Sequence, residues 1–177
     1  MLQLRQKSGS SGALLALAAE VMRRAAGSPA RVIVNDRADL ARAAGAHGVH
    51  VGQDDLGVDE VRTIVGDAAI VGVSTHTPEQ VDRALAGSAS YVAVGPIFAT
   101  ATKATGYDAR GLDLLRYAAG RGKPIVAIGG ITLARAPEVI EAGASAVAVI
   151  TDLLVDADVE DRVRAFVRAL PPRLFKV

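Results

Sequence analysis

The segment Gly95-Pro96-Ile97-Phe98-Ala99-Thr100-Ala101-Thr102-Lys103 follows an alternating apolar run, Tyr91-Val92-Ala93-Val94, and so sets two hydroxyls and an ammonium just past a strand end. Thr100 and Thr102 can each donate an O–H, and Lys103 adds a compact positive charge; together they suit a phosphate or pyrophosphate. Alone, a T-x-T-K string is more often a polar surface turn. Here it has company. Gln3, Arg5 and Lys7 alternate along another run, Asn35-Asp36, Asp54-Asp55 and Ser74 sit at or just past the ends of three more, and Gly129-Gly130 and Ile150-Thr151-Asp152 do the same further on.

These residues need a frame that gathers strand ends. β-branched runs at 2–6, 31–35, 48–52, 69–74, 91–95, 124–129 and 146–151 alternate with alanine-rich helical patterns at 11–26, 38–44, 58–65, 78–86, 111–119, 133–142 and 159–169. Gly-Ala pairs at 45–46 and 143–144 close helices just ahead of the next strand, where glycine can take the left-handed cap conformation. Seven βα units with short connections predict one domain over 1–177 with a parallel sheet, either doubly wound or a (β/α) barrel. Two features favour the barrel. Polar residues close nearly every strand, whereas a doubly wound sheet gathers them at one switch point. The last two units, Ile128-Gly129-Gly130-Ile131 and Val149-Ile150-Thr151-Asp152, also have the form of a barrel phosphate site, in which glycine lets the backbone approach an anion. Gly129-Gly130 alone reads equally well as a tight βα turn.

Composition narrows the function classes. Twenty Lys and Arg against nineteen Asp and Glu leave a net charge of +1, with no electrostatic footprint for nucleic acid or an acidic membrane. There is no cysteine, hence no disulfide, thiolate metal ligand or cysteine nucleophile, and a cytoplasmic location is expected. No apolar run approaches the ~20 residues of a membrane span. With aromatics at 3%, the core must be built from Ala, Val, Leu and Ile, which suits a parallel sheet covered by helices.

Gln3-Leu4-Arg5-Gln6-Lys7, Asn35-Asp36, Val49-His50-Val51-Gly52-Gln53-Asp54-Asp55, Gly72-Val73-Ser74-Thr75-His76, residues 95–103 and 127–131 together resemble the thiamine phosphate synthase family, across essentially the whole chain. The resemblance implies a TIM-type (β/α)8 barrel, with Mg2+ as cofactor. It implies a transferase that joins hydroxymethylpyrimidine diphosphate to thiazole phosphate and releases pyrophosphate. In that family the Q-x-R-x-K motif lies on the second strand, so the resemblance implies a barrel lacking its first βα unit. Two unpaired parallel edges would then favour instability or a homo-oligomer.

Carried over, the family assigns Gln3, Arg5, Lys7 and Asn35 to the pyrimidine diphosphate. Period-two geometry would point the first three to one side of their strand. Asp36 and Asp55 become the Mg2+ carboxylates, with Asp54 as rival to the second; helix N-capping is the alternative role for either member of that pair. Ser74, Thr100, Thr102 and Lys103 stabilise the departing pyrophosphate, while Gly130, Ile150 and Thr151 cradle the thiazole phosphate and Asp152 puts an unfavourable anion beside it. Lys103, Ser74 and Arg5 carry the catalysis. The implied chemistry is ionisation at the pyrimidine methylene followed by attack of the thiazole nitrogen, which needs electrostatic stabilisation of the leaving group more than a general base. His47, His50 and His76 show no metal-binding spacing and receive no role. Other readings are a thiazole tautomerase-like protein, a non-catalytic family member that binds thiazole phosphate, and a sugar-phosphate isomerase or aldolase on the same barrel. The retained Gln3, Arg5, Lys7, Asn35 and Asp36 argue against the first, and the absence of a clear Schiff-base lysine or acid–base pair argues against the last.

Overall fold

The computed structural model describes residues 1–100, 106–155 and 158–170. Seven βα units alternate along them: β1 (Leu2–Leu4), α1 (Ser11–Ala25), β2 (Val32–Asn35), α2 (Ala38–Ala43), β3 (Gly48–Val51), α3 (Val58–Val65), β4 (Ile70–Thr75), α4 (Pro78–Ala86), β5 (Tyr91–Val94), α5 (Gly111–Ala118), β6 (Ile125–Ile128), α6 (Ala136–Glu141), β7 (Ala146–Ala148) and α7 (Val159–Ala169), with a 3-10 turn at Thr151–Leu153 before α7. The chain forms two compact units, one of Met1–Ser74 with Gly87–Ser90 and one of Thr75–Ala86 with Tyr91–Val177.

In the first unit β1 pairs β2, β2 pairs β3 and β3 pairs β4, all parallel, with Asn35 opposite His50 and His50 opposite Gly72. β1 leaves Leu2 and Gln3 exposed, while β2, β3 and the start of β4 carry apolar side chains on both faces, with Leu14, Ala18, Leu40, Ala41 and Val61 of α1, α2 and α3 buried alongside; Val32, Ile33, Val34, Val49, Val51 and Val71 are fully enclosed. Each such side chain contributes roughly 1.5–3 kcal/mol over exposure. In α1, the Ser10 side chain accepts the Ala13 N–H at 3.2 Å, and Arg23 and Arg24 in the last turn both bind Glu20.

In the second unit β5 pairs β6 and β6 pairs β7, again parallel. Val92, Ala93, Val94, Ile125 and Ala127 are buried beneath Val81, Leu114, Leu115, Val139 and Ile140. Asp158 caps α7 by accepting the Asp161 N–H. Outward, α7 exposes Val159, Val163 and Val167, one residue per turn.

The ends at which chain enters the strands are fastened by side-chain acceptors. His47 Nδ1 takes the Val32 N–H, Ser90 Oγ the Val71 N–H and Ser145 Oγ the Ile125 N–H, at 3.1 to 3.2 Å. Arg62 adds bonds to the carbonyls of Gly66, Asp67, Ala69 and Ser88 and to Ser90 Oγ, tying α3 to the segment that leads into β4 and to residues 88–90 after α4.

Two expected strands are shorter than their patterns. β1 stops at Leu4, so Arg5 and Lys7 lie beyond it and period-two alternation does not carry them. The last strand stops at Ala148, and Thr151 opens the 3-10 turn instead of ending the strand. The sixth helix begins at Ala136, not Leu133, and the Leu133 N–H ahead of it is taken by Asp152.

Candidate active site

Four strand ends of the first unit bring polar groups forward. Gln3 is exposed on β1, and Arg5, half-buried, and Lys7, exposed, follow it. Asn35 closes β2, and Asp36 next to it has φ +64°, alone among the described non-glycine residues in the left-handed region. Its N–H donates to the His50 carbonyl at 2.8 Å, and the Arg37 N–H turns back to the Asn35 carbonyl. A residue kept in a costly conformation by such bonds is commonly one whose side chain must be aimed.

Beyond β3, the Asp55 carboxylate accepts the Gly52 N–H at 2.7 Å. Neither Asp54 nor Asp55 caps α3: the N-cap is Gly57, with no side-chain capping bond. This corrects the capping alternative, and its cause is the two-residue gap, Leu56-Gly57, before the helix opens at Val58. Ser74 lies inside β4, 3% exposed, with Oγ 2.8 Å from His50 Nε2, and its carbonyl accepts from Gln53 Nε2 at 2.6 Å. Sequence reasoning gave His50 no role; a histidine between two valines of a buried strand was the available signal.

Mg2+ is the metal that the family resemblance implies. Among the described residues there is no cluster of three or more His, Cys, Asp or Glu able to hold an ion. Two carboxylates following adjacent parallel strands, Asp36 after β2 and Asp55 after β3, suit Mg2+, which completes its octahedron with phosphate oxygens and water. The donors present therefore fit.

In the second unit, Ile97 N–H donates to the Ile128 carbonyl at 2.8 Å and Phe98 N–H to the Gly129 carbonyl at 3.1 Å. Gly129 (φ +91°) and Gly130 (φ +63°) permit this approach: a Cβ on Gly129 would lie 2.5 Å from Pro96 Cβ, and one on Gly130 2.6 Å from the Ala99 carbonyl oxygen. Arg135 covers the seam, its guanidinium 4.4 Å from the Phe98 ring centre and bonded to the Gly130 carbonyl. The glycine pair thus seats the segment carrying half-buried Thr100. Thr102 and Lys103 lie outside the described residues. Ile150 and Thr151 are exposed. Asp152 accepts the Leu133 N–H (2.9 Å) and is paired with Arg162 (2.7 Å), so its charge has a counter-ion within the protein.

His76, left without a role by sequence reasoning, is 5% exposed, bonds the Gly95 carbonyl through Nδ1 and stacks on Tyr107 at 4.3 Å. Gln80 joins the two by accepting the His76 N–H and donating to the Tyr107 hydroxyl. No pattern within either segment announces a pairing across 31 residues.

The thiamine monophosphate synthase family model matches residues 1–153. The chain belongs to this family. It is 51% identical to the thiamine-phosphate synthase of Koribacter versatilis over 88% of this chain and 74% of that protein, and 45% identical to that of Roseiflexus castenholzii over 93% and 72%. Relatives of this kind are spanned over 62% to 82% of their length. Among solved structures it resembles thiamine phosphate pyrophosphorylase from Pyrococcus furiosus with a TM-score of 0.85, at 27% identity, covering 96% of this chain and 83% of that one. The fold is accordingly TIM-like, built of the seven βα units described above. The function that goes with the family is thiamine phosphate synthesis, and the enzyme type is a transferase.

Proposed function

We propose that the chain couples hydroxymethylpyrimidine diphosphate to thiazole phosphate. The observation that carries this reading is the left-handed Asp36 beside Asn35, held to β3 by its N–H on the His50 carbonyl, a costly backbone of the kind kept where a side chain must be aimed. Asp36 and Asp55 hold Mg2+, and Gln3, Arg5, Lys7, Asn35 and Ser74 take the diphosphate and pyrimidine. Bound there, the ion supplies positive charge that offsets the diphosphate. Thr100, Thr102 and Lys103 add two hydroxyls and an ammonium for the pyrophosphate as it leaves, and Gly130, Ile150 and Thr151 receive the thiazole phosphate.

In the reaction the C–O bond at the pyrimidine methylene breaks, its electron pair leaves with the pyrophosphate, and the thiazole nitrogen supplies the pair for the new C–N bond. The side chains bind and orient both partners and neutralise charge that grows on the leaving group. The absence of cysteine fits a cytoplasmic enzyme. Self-association through an unpaired parallel strand edge belongs to the same reading and is read by sedimentation at graded concentration.

The test is thiamine phosphate formation by the purified chain with both substrates, with Mg2+ and with excess EDTA. Turnover that needs the metal and falls roughly 10²–10³-fold in kcat on Lys103→Ala supports the reading. Full turnover in EDTA removes the metal assignment, and a Lys103→Ala effect confined to KM makes that ammonium a binding group only.

A further inference from the structure

We infer that His50 is a positioning residue for the reaction, acting through Ser74 by fixing which way its hydroxyl proton points. A serine hydroxyl has one proton and two lone pairs. If Ser74 spent that proton on His50, it could offer an anion nothing but lone pairs. With the proton on Nε2, His50 donates across the 2.8 Å contact and the Ser74 O–H is released toward a bound phosphate oxygen. Only this tautomer lets Ser74 stabilise a leaving diphosphate.

The surroundings hold the pair in place. His50 is 7% exposed and Ser74 3%, so water does not compete for the contact. His50 stands opposite Gly72, Ser74 lies two residues further along the same face of β4, and glycine puts no side chain between them. Gln53 grips the Ser74 carbonyl, and the His50 carbonyl accepts the Asp36 N–H. One short stretch of chain, β3 and the turn after it, thus sets the Ser74 hydroxyl, the Ser74 backbone and the turn that presents Asp36.

This inference rests on the proposed synthase reading, and its test separates the two. Wild type, His50→Leu, His50→Asn, His50→Gln, Ser74→Ala and the His50→Leu/Ser74→Ala and His50→Asn/Ser74→Ala doubles are compared for kcat, for KM, for thermal melting and for affinity to inorganic pyrophosphate with Mg2+. His50→Leu and His50→Asn, neither of which reaches Ser74 with a donor, should each lower kcat about tenfold, the worth of one net hydrogen bond. In the Ser74→Ala background the same changes should cost less than about twofold. His50→Gln, whose amide N–H reaches the same point, should recover most of the rate. Equal losses with and without Ser74, or no recovery by glutamine in a folded protein, overturn the inference while leaving the synthase reading intact. If wild type fails to turn over yet pyrophosphate affinity shows the same coupling, the synthase reading falls while the orienting of the Ser74 hydroxyl by His50 toward a bound anion stands. No turnover and no pyrophosphate binding overturn both.

Discussion

Arg162 holds Asp152 at two points, Nη2 on the carboxylate at 2.7 Å and Nε on the backbone carbonyl at 3.0 Å, with side chains only 22% and 12% exposed. The pair clips the start of α7 to the 3-10 turn, and the second carboxylate contact, the Leu133 N–H, extends the clip to the segment after β6.

Removing the cation should therefore hurt twice. Arg162→Leu leaves a poorly solvated carboxylate beside Thr151, at a cost of ~2–3 kcal/mol after allowing for partial exposure. KM for thiazole phosphate should rise, while KM for the pyrimidine diphosphate should stay. Thermal melts and the two KM values read this directly. The double variant Arg162→Leu/Asp152→Asn should recover stability, and a double variant no better than the single would show that packing of the arginine stem was the larger part.

Asp36→Gly should separate folding from function. Glycine takes φ +64° without the Cβ penalty of about 1–2 kcal/mol, which offsets its greater unfolded-chain entropy, so Asp36→Gly should melt higher than Asp36→Ala. Metal-dependent turnover should be lost. An active Asp36→Gly enzyme would remove Asp36 from the metal site.

Alanine at either member of the glycine pair should do the opposite. Gly130→Ala pays about 1–2 kcal/mol for left-handed backbone alone, and its Cβ must push the Ala99 carbonyl away. Both stability and kcat should drop, because the displaced segment carries Thr100. Intact kinetics in a destabilised Gly130→Ala protein would mean the seam serves only the fold.

At high pH, Tyr91 should control unfolding. Its hydroxyl is buried on β5, and burial raises its pKa well above the ordinary value of 10.0. A group whose folded pKa is raised stabilises fully below the unfolded pKa, and that contribution is lost as pH rises beyond it. Stability should therefore decline above pH ~10, with one tyrosinate absorbance step arriving together with loss of structure. Tyr91→Phe should lack that step, and an identical alkaline melt in the variant would count against it.

The alternation of β-branched and alanine-rich stretches was enough to read all seven βα units, because parallel strands buried on both faces have little freedom in composition. Their ends were harder. Arg5 and Lys7 continue the polar alternation of Gln3, but only Leu2 to Leu4 find register partners on β2, and pairing, not pattern, ends a strand. Asn35, Asp36 and Ser74 were legible as polar residues closing apolar runs. The bond between His50 and Ser74 was not, since it depends on the register that sets His50 against Gly72. The counter-ion of Asp152 was hidden for a similar reason: it lies ten residues along the chain, on α7.

The fastenings at His47, Ser90, Ser145 and Arg62 all sit where chain enters or approaches a strand, and none of the residues assigned to substrate is among them. At these four positions, then, a substitution can loosen the hold on a strand while leaving untouched every side chain to which substrate is assigned, so that the footing can change without the chemistry.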